Sequence, residues 1–372
     1  MSLLPLLFIS SLLHAYVGTR IAPDLPGVLW PALFVAVVIA SALLMPMGLL
    51  ARRVRRQPLS DRLAWAGSLA MGLFSSLFVL TVLRDAVLLV AWLASLNGVA
   101  GATAIAVPPL ALAITLWGFV NARRTAAVVV VEVPIADLPG ALHGFTIAQI
   151  SDIHVGPTIK RAYLLRIVDA VNALDADMVA VTGDLVDGSV RELGVHVAPL
   201  AGLTSRHGTF FVTGNHEYYS GAKAWVAELR RLGLRVLMNE HVVLEHDAAS
   251  LVVAGVTDHS SHHFDPGERS DPAAAMAGAP AHASVRVLLA HQPRSAELAE
   301  RAGFQLQLSG HTHGGQFLPW NLFVRLQQPF TAGLHRLRRL WVYTSRGTGY
   351  WGPPKRFGAP SEITHLRLVP AG

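Results

Sequence analysis

Three long apolar runs without a charged residue constrain the fold of this chain more than any other feature. They are Val28–Leu50, Leu63–Leu83 and Val99–Val120, and each is long enough to cross about 30 Å of hydrocarbon as a helix. Charge-free runs of this length are rare in soluble folds. We therefore predict that residues 1–126 form a transmembrane region with about four helices.

The fourth helix is predicted from a shorter apolar run, Leu3–Val17, which contains His14. This run lacks a basic start and an A-x-A cleavage site, which argues against a cleaved signal peptide. A further apolar stretch, Ala86–Leu96, follows the charged pair Arg84–Asp85. It is interpreted either as an extension of a neighbouring helix or as an interfacial segment.

The positive charge of the chain lies in its membrane half. Residues 1–126 hold 9 Lys/Arg against 3 Asp/Glu, whereas the remaining residues hold 21 of each. The basic loop residues are Arg52, Arg53, Arg55, Arg56 and Arg62 between two predicted helices, and Arg123 and Arg124 after the last. The positive-inside rule predicts a multi-pass protein of the inner (cytoplasmic) membrane, with the soluble domain on the cytoplasmic side.

Residues 127–372 are predicted to form a separate domain of strands and helices. Short β-branched runs such as Phe145–Ile150, Met178–Thr182 and Val285–Ala290 alternate with turn residues and with amphipathic helical patterns such as Arg161–Leu174. This alternation favours two packed sheets with helices outside. No basic patch with interleaved aromatic residues occurs in this half, so no nucleic-acid partner is expected. The chain has no cysteine, which excludes disulfides and thiolate metal ligands.

Five polar clusters each follow directly on a predicted strand of this domain. They are Asp152-Ile153-His154, Gly183-Asp184, Gly214-Asn215-His216-Glu217, His291 in Ala290-His291-Gln292-Pro293, and Gly310-His311-Thr312-His313-Gly314-Gly315. Loops at the carboxyl ends of strands in an α/β sheet converge on one edge, so these clusters can share a cleft. Imidazole, carboxylate and amide ligands suit a pair of divalent ions, which could be Mn, Fe, Zn, Ni or Co.

These five clusters, in this order, resemble those of the calcineurin-like metallophosphoesterase superfamily over about residues 144–369. The stretch Leu308-Ser-Gly-His-Thr-His-Gly-Gly-Gln316, with Ser345-Arg-Gly347, further resembles the membrane-attached bacterial branch of that family. The resemblance implies an α/β domain built as a four-layer αββα sandwich that follows the helical transmembrane region.

The resemblance also implies a set of site residues. Metal site one takes Asp152, His154, Asp184 and His313, and site two takes Asp184, Asn215, His291 and His311, so that Asp184 bridges two divalent metal ions. A bridging hydroxide would attack phosphorus. His216 would contact the leaving-group oxygen as general acid or charge stabiliser, and Glu217 would orient a ligand.

The implied activity is hydrolysis of a phosphoester, phosphodiester or pyrophosphate bond. Attachment to the lipid bilayer favours a membrane-associated substrate, since some members of the branch cleave the pyrophosphate of a UDP-acylglucosamine and others act as general phosphodiesterases. The alternative is a membrane transporter or sensor with a phosphoesterase-like regulatory domain.

Several other residues are candidates with open roles. The cluster Asp258-His259 and His262-His263 is either a metal or substrate contact or a solvated loop. A further set, Arg346, Trp351, Lys355 and Arg356, either holds a substrate phosphate or a lipid headgroup or forms a surface tail. Asp187 is a candidate neighbour of the metal ligands.

Overall fold

Two compact units make up the protein. The structure is a computed structural model that describes residues 3–54 and 56–372, so Arg55 of the predicted basic loop lies outside the described residues. The helical unit comprises the chain up to Arg123 together with Gly352–Phe357, and the sheet unit comprises Arg124–Trp351 and Gly358–Gly372. The domain boundary placed after residue 126 stays a prediction.

Apolar helices dominate the helical unit. Among the described residues, four helices are long and apolar enough to cross a membrane. They are α1 (Leu3–Ile21), α2 (Leu29–Leu49), α3 (Gln57–Leu93) and α4 (Val99–Arg123). The 37 residues of α3 extend over about 56 Å, well beyond the thickness of a hydrocarbon core. Most of the stretch Ala86–Leu96 therefore continues a neighbouring helix, as one of the two interpretations proposed.

The charged pair Arg84–Asp85 does not interrupt α3, because both side chains have partners near the connection between α1 and α2. The Arg84 guanidinium donates to the Arg20 carbonyl over 2.6 Å and to the carboxylate of Asp24. The Asp85 carboxylate accepts from Tyr16 Oη at 2.7 Å and pairs with Arg20 at 2.8 Å. The transport alternative gains no support from these charges, since each is neutralised within the chain.

Helices α2 and α3 approach each other closely at a pair of glycines. A Cβ built on Gly67 would lie 2.5 Å from Gly48 Cα, whereas a Cβ on Gly18 would find only an ordinary contact at 3.8 Å. Small residues permit such close approach of membrane helices.

We expect Gly67→Ala to lower the thermal midpoint of the detergent-solubilised protein, since overpacking costs about 1–3 kcal/mol. Gly18→Ala should leave it unchanged or raise it, because alanine is about 1 kcal/mol better than glycine within a helix. Equal midpoints for the two variants would show that the contact between Gly48 and Gly67 is not tight.

The segment Gly352–Phe357 packs within the helical unit, although it lies far along the chain. The buried Lys355 ammonium donates to the Gly72 carbonyl over 3.0 Å and to Ser76 Oγ over 2.6 Å, and Arg356 is also fully buried. The interpretation of Lys355 and Arg356 as a phosphate or headgroup contact, or as a surface tail, is therefore wrong.

The described residues of the sheet unit include two six-stranded sheets. The first sheet has the order β1 (Ala127–Ile135), β12 (Glu362–Pro370), β2 (Thr146–Ile150), β3 (Met178–Val181), β4 (Thr209–Phe211) and β5 (Arg235–Val236). The second has the order β10 (Gly333–Leu337), β11 (Leu340–Thr344), β9 (Leu306–Ser309), β8 (Val285–Leu289), β7 (Ala249–Gly255) and β6 (Glu240–His246). Buried residues of both sheets, among them Ile147, Phe210, Leu251 and Leu308, form one apolar core between them.

Helices cover the outer faces of both sheets, so the unit has four αββα layers. The helices of the sheet unit are α5 (Arg161–Asn172), α6 (Val190–Val197), α7 (Asn215–Ser220), α8 (Ala222–Arg231), α9 (Pro272–Met276), α10 (Ala296–Arg301) and α11 (Asn321–Val324). Parallel strands β2, β3 and β4 are buried on both faces, as are β8 and β9. This confirms the predicted fold class, with helices preceding an αββα domain.

Candidate metal centre

The polar clusters predicted from the sequence follow the carboxyl ends of strands in both sheets. Asp152 and His154 follow β2, Asp184 follows β3, and Asn215 begins α7 after β4. His291 follows β8, and His311 and His313 follow β9. Because parallel strands end at a common edge, residues that lie up to 161 positions apart in the sequence meet there.

One group of side chains gathers around Asp152. His154 Nε2 lies 3.1 Å from His313 Nε2, and His313 Nε2 lies 3.4 Å from Asp152 Oδ1. The candidate ligand atoms of these three residues all lie within 4.8 Å of one another. Two imidazole nitrogens bound to one cation at about 2.0–2.1 Å lie about 3.3 Å apart in tetrahedral geometry, so this spacing suits a shared ion.

A second group gathers around Asp184. Its Oδ2 atom lies 3.1 Å from His291 Nε2, and His291 Nε2 lies 3.2 Å from His311 Nδ1. The same Oδ2 atom lies 3.9 Å from His154 Nε2 of the first group. Asp184 therefore stands between the two groups, where one carboxylate could serve both.

Asn215 provides independent evidence that the residues fit a cation. Its side chain is 9% exposed, and its Oδ1 atom is buried without a hydrogen-bond partner. An unsatisfied buried carbonyl is costly unless an ion or another unseen partner meets it. The donor set of carboxylate, amide oxygen and imidazole is one that divalent transition metals accept.

Backbone strain concentrates at the same residues. Asp152, His154, Asp184, His311 and His313 all have φ between 50° and 70°, in the left-handed region that non-glycine residues rarely adopt. Each such residue costs of order 1–3 kcal/mol, and strain of this kind clusters at functional sites.

The glycine at position 310 is required by close packing against the centre. A Cβ built there would lie 2.2 Å from Asp152 Oδ2 and 2.0 Å from Ser151 Oγ. The neighbouring His311 N–H donates to both carboxylate oxygens of Asp152 at 3.0 Å. Only glycine therefore lets this loop reach the Asp152 carboxylate.

His216 lies beside the two groups and is oriented by Asp187. Its Nδ1 atom lies 2.5 Å from Asp187 Oδ1, and its Nε2 atom lies 4.0 Å from Asp184 Oδ2. Asp187 Oδ1 also lies 3.3 Å from His154 Nδ1, so one carboxylate orients both rings. Burial favours the neutral ring, but the carboxylates of Asp184 and Asp187 outweigh it and raise the pKa of His216 to about 9.

Electrostatic coupling within the centre is strong. Burial opposes the charge of the Asp184 carboxylate, yet the attraction of His291, His216 and His154 holds the pKa of Asp184 well below its usual value. Burial and the charge of His291 lower the pKa of His311 to about 4. The buried carboxylates thus demand positive charge, which a proton on His291 or a bound cation can provide.

Glu217 contacts backbone amides. Its carboxylate accepts N–H groups from Gly214 at 2.6 Å, Leu185 at 2.8 Å and Asp184 at 3.0 Å. Burial and the nearby Asp184 carboxylate raise the pKa of Glu217 to about 8. Glu217 therefore fixes the backbone turns that present Asp184 and Asn215, which is how it can orient ligands.

The remaining candidates have structural partners. Asp258 is fully buried and accepts from Gln292 Nε2 at 3.1 Å, so its interpretation as part of a solvated loop is wrong, and it supports the loop after His291. Arg346 forms an ion pair with Glu362 at 2.6 Å.

Two exposed aromatic residues, Tyr219 beside His216 and Phe264 beside Tyr219, were not predicted from the sequence. The Tyr219 ring lies 5.3 Å from that of His216 and 5.5 Å from that of Phe264. For Tyr219, the sequence signal that could have predicted this place was its position just after the Gly-Asn-His-Glu motif.

Known proteins that are similar in sequence to this chain are described as metallophosphoesterases. Residues 145–315 match the family model for calcineurin-like phosphoesterases. The chain is 39% identical over 274 residues to a transmembrane protein with metallophosphoesterase domain from Danio rerio, covering 70% of this chain and 62% of that protein. It is 32% identical over 228 residues to a metallophosphoesterase from Aquifex aeolicus, covering 61% of this chain and 85% of that protein.

A metallophosphoesterase from Helicobacter pylori is 40% identical over 229 residues, which cover 60% of each chain. The chain thus spans about three fifths of the length of the Danio rerio and Helicobacter pylori relatives, but most of the Aquifex aeolicus protein.

Proposed function

Because the chain belongs to the calcineurin-like phosphoesterase family, we propose that it is a membrane-associated hydrolase that cleaves phosphoester, phosphodiester or pyrophosphate bonds with the help of divalent metal ions. The observation that supports this most strongly is the convergence of Asp152, Asp184, Asn215, His291 and the histidines of both groups at the carboxyl ends of strands from both sheets.

The proposed ligand sets follow the two groups. One ion would be held by Asp152, His154, His313 and Asp184, and the other by Asp184, Asn215, His291 and His311. The hydrogen bond between His291 Nδ1 and the Thr182 carbonyl, at 2.8 Å, leaves Nε2 free to face the ion. Divalent ions in such a site neutralise phosphate charge and lower the pKa of bound water.

His216 is the proposed proton donor to the leaving group. Its Nδ1 atom is bonded to Asp187, so its Nε2 atom faces the centre beside Asp184. An imidazole held in this way can protonate a departing oxygen, whereas the side chains of the two ligand sets would be engaged by the ions.

The four apolar helices support a multi-pass arrangement in the inner membrane. Arg52, Arg53, Arg56 and Arg62 precede or begin α3, and Arg123 and Arg124 follow α4, so the positive-inside rule favours a cytoplasmic sheet unit. A lipid-linked diester or pyrophosphate, such as a UDP-acylglucosamine or a phospholipid, is the proposed substrate class.

A substrate panel tests this proposal. The full chain in detergent with Mn²⁺ should hydrolyse a bis-aryl phosphate, and a UDP-acyl-sugar or phospholipid should be cleaved with a higher kcat/KM than a soluble aryl monoester. The absence of metal-dependent turnover on every member of the panel would contradict the hydrolase assignment. Turnover confined to soluble esters would contradict only the lipid-linked class.

A further inference from the structure

An exposed apolar segment follows directly on the metal centre. Five large apolar side chains are exposed within nine residues, namely Leu318 (46%), Trp320 (38%), Leu322 (70%), Phe323 (54%) and Leu326 (80%). We call residues 318–326 the apolar segment. Single exposed apolar residues are ordinary, but a contiguous group of this kind marks an interaction surface.

The apolar segment follows the site through a hydrogen-bonded turn. The short turn His313–Gly315 ends immediately before Gln316, whose side chain donates to the Trp351 carbonyl and accepts from the Trp351 N–H, both at 2.9 Å. Phe317 forms an isolated bridge with Gly358. The exposed Trp351 ring lies 5.7 Å from that of His216, so this surface reaches the proposed proton donor.

The composition of the apolar segment suits the boundary between lipid headgroups and acyl chains. Leucine and phenylalanine gain free energy by entering the acyl region, and tryptophan prefers the headgroup level. The exposed Arg325 lies between Phe323 and Leu326 in the sequence, and a guanidinium at this position suits anionic headgroups.

The connectivity of the chain keeps a bilayer within reach of the sheet unit. Only residues 124–126 separate α4 from β1, and three residues extend over at most about 10 Å. Trp351, which is bonded to Gln316, is followed at once by Gly352–Phe357, and that segment packs within the helical unit. The partner of the apolar segment that this connectivity favours is therefore the bilayer that the apolar helices would span.

We propose that the apolar segment docks into the interfacial layer of this bilayer, with Leu322, Phe323 and Leu326 among the acyl chains. This docking would hold the loop of His313 next to the headgroups. The consequence for catalysis, namely access to phosphates borne by lipids, rests on the proposed function, whereas the docking does not.

The absence of native cysteine makes a direct test possible. Single-cysteine variants Leu322→Cys and Leu326→Cys of the full chain, labelled with an environment-sensitive fluorophore, would be reconstituted into phosphatidylglycerol and phosphatidylcholine vesicles. Val195→Cys is the matched control, because Val195 on α6 is apolar and comparably exposed, at 65% against 70% for Leu322 and 80% for Leu326. Unchanged thermal midpoints would establish that the labelled proteins are folded.

Lipids with a doxyl quencher near the headgroup end of the acyl chain should cause a loss of fluorescence at positions 322 and 326 but not at 195. If the labels at 322 and 326 respond in the same way as the label at 195, the proposal is overturned. This holds even if another partner covers the apolar segment. This measurement needs no substrate, so failed docking and failed hydrolysis are distinguishable.

Discussion

Replacing Asp184 by asparagine should lower kcat/KM for an aryl phosphodiester by roughly 10³-fold or more. The amide keeps the size of the side chain but removes the charge that both proposed ions share. Asp184 Oδ2 lies 3.1 Å from His291 Nε2 and 3.9 Å from His154 Nε2, between the two groups. Metal ions stabilise a phosphoryl transition state by several kcal/mol, and about 4 kcal/mol corresponds to the expected loss.

The control for this variant is Asp169→Asn on the exposed face of α5, which removes the same charge away from the site. It should retain wild-type kinetics. Near-normal turnover by the Asp184 variant would show that catalysis does not need the carboxylate. This result would contradict the enzyme assignment. Circular dichroism of both variants would exclude loss of the fold as the cause.

Replacing His216 by asparagine should lower kcat by about 10²–10⁴ when the leaving group is a poor one such as an alkoxide, because such a group needs a proton as it departs. The loss should be much smaller for nitrophenolate, which leaves readily without a proton. His216 makes its short contact with Asp187 and is not needed as an ion ligand, so bound metal should stay unchanged.

His282→Asn in an exposed loop is the matched control and should leave kcat unchanged for both leaving groups. An equal loss for good and poor leaving groups in the His216 variant would contradict a role as proton donor. Loss of bound metal would instead make His216 a ligand, which its place in a group with His154 and Asp184 also permits.

The sequence predicted most of the sheet unit because its central strands are buried on both faces. Apolar runs such as those of β3 and β7 stand out against the turn residues around them. Three edge strands, β5, β6 and β10, were not predicted. Their residues include Glu240, His241 and Arg336, and an edge strand that faces solvent on one side need not be apolar.

The sequence left the end of α3 open between two interpretations for a different reason. A charged pair ordinarily marks the limit of a membrane helix, so the charge-free run ended at Leu83, and the continuation over Ala86–Leu96 was only one of the two possibilities. The partners that neutralise Arg84 and Asp85 come from α1 and the connection after it, and such long-range contacts leave no local pattern. The same holds for Lys355, whose partners Gly72 and Ser76 lie nearly 280 positions earlier in the chain.

The residues of the candidate site were easier to predict from the sequence than these long-range contacts. Chemistry of this type requires particular residues at the ends of strands, and Asp152, His154, Asp184, His311 and His313 lie within local motifs. From the sequence, Asp187 was only a candidate neighbour of the metal ligands. Its position between His154 and His216 depends on how the loop after β3 folds back.

The most direct test of the central claim is the metal content of the full chain after Mn²⁺ loading and removal of free ions, measured by elemental analysis. The ligand sets predict about two ions per chain in the wild-type protein and a clear loss of bound metal in Asp184→Asn. Absence of bound metal in the wild type, or equal metal content in both proteins, would contradict a shared carboxylate between two ions.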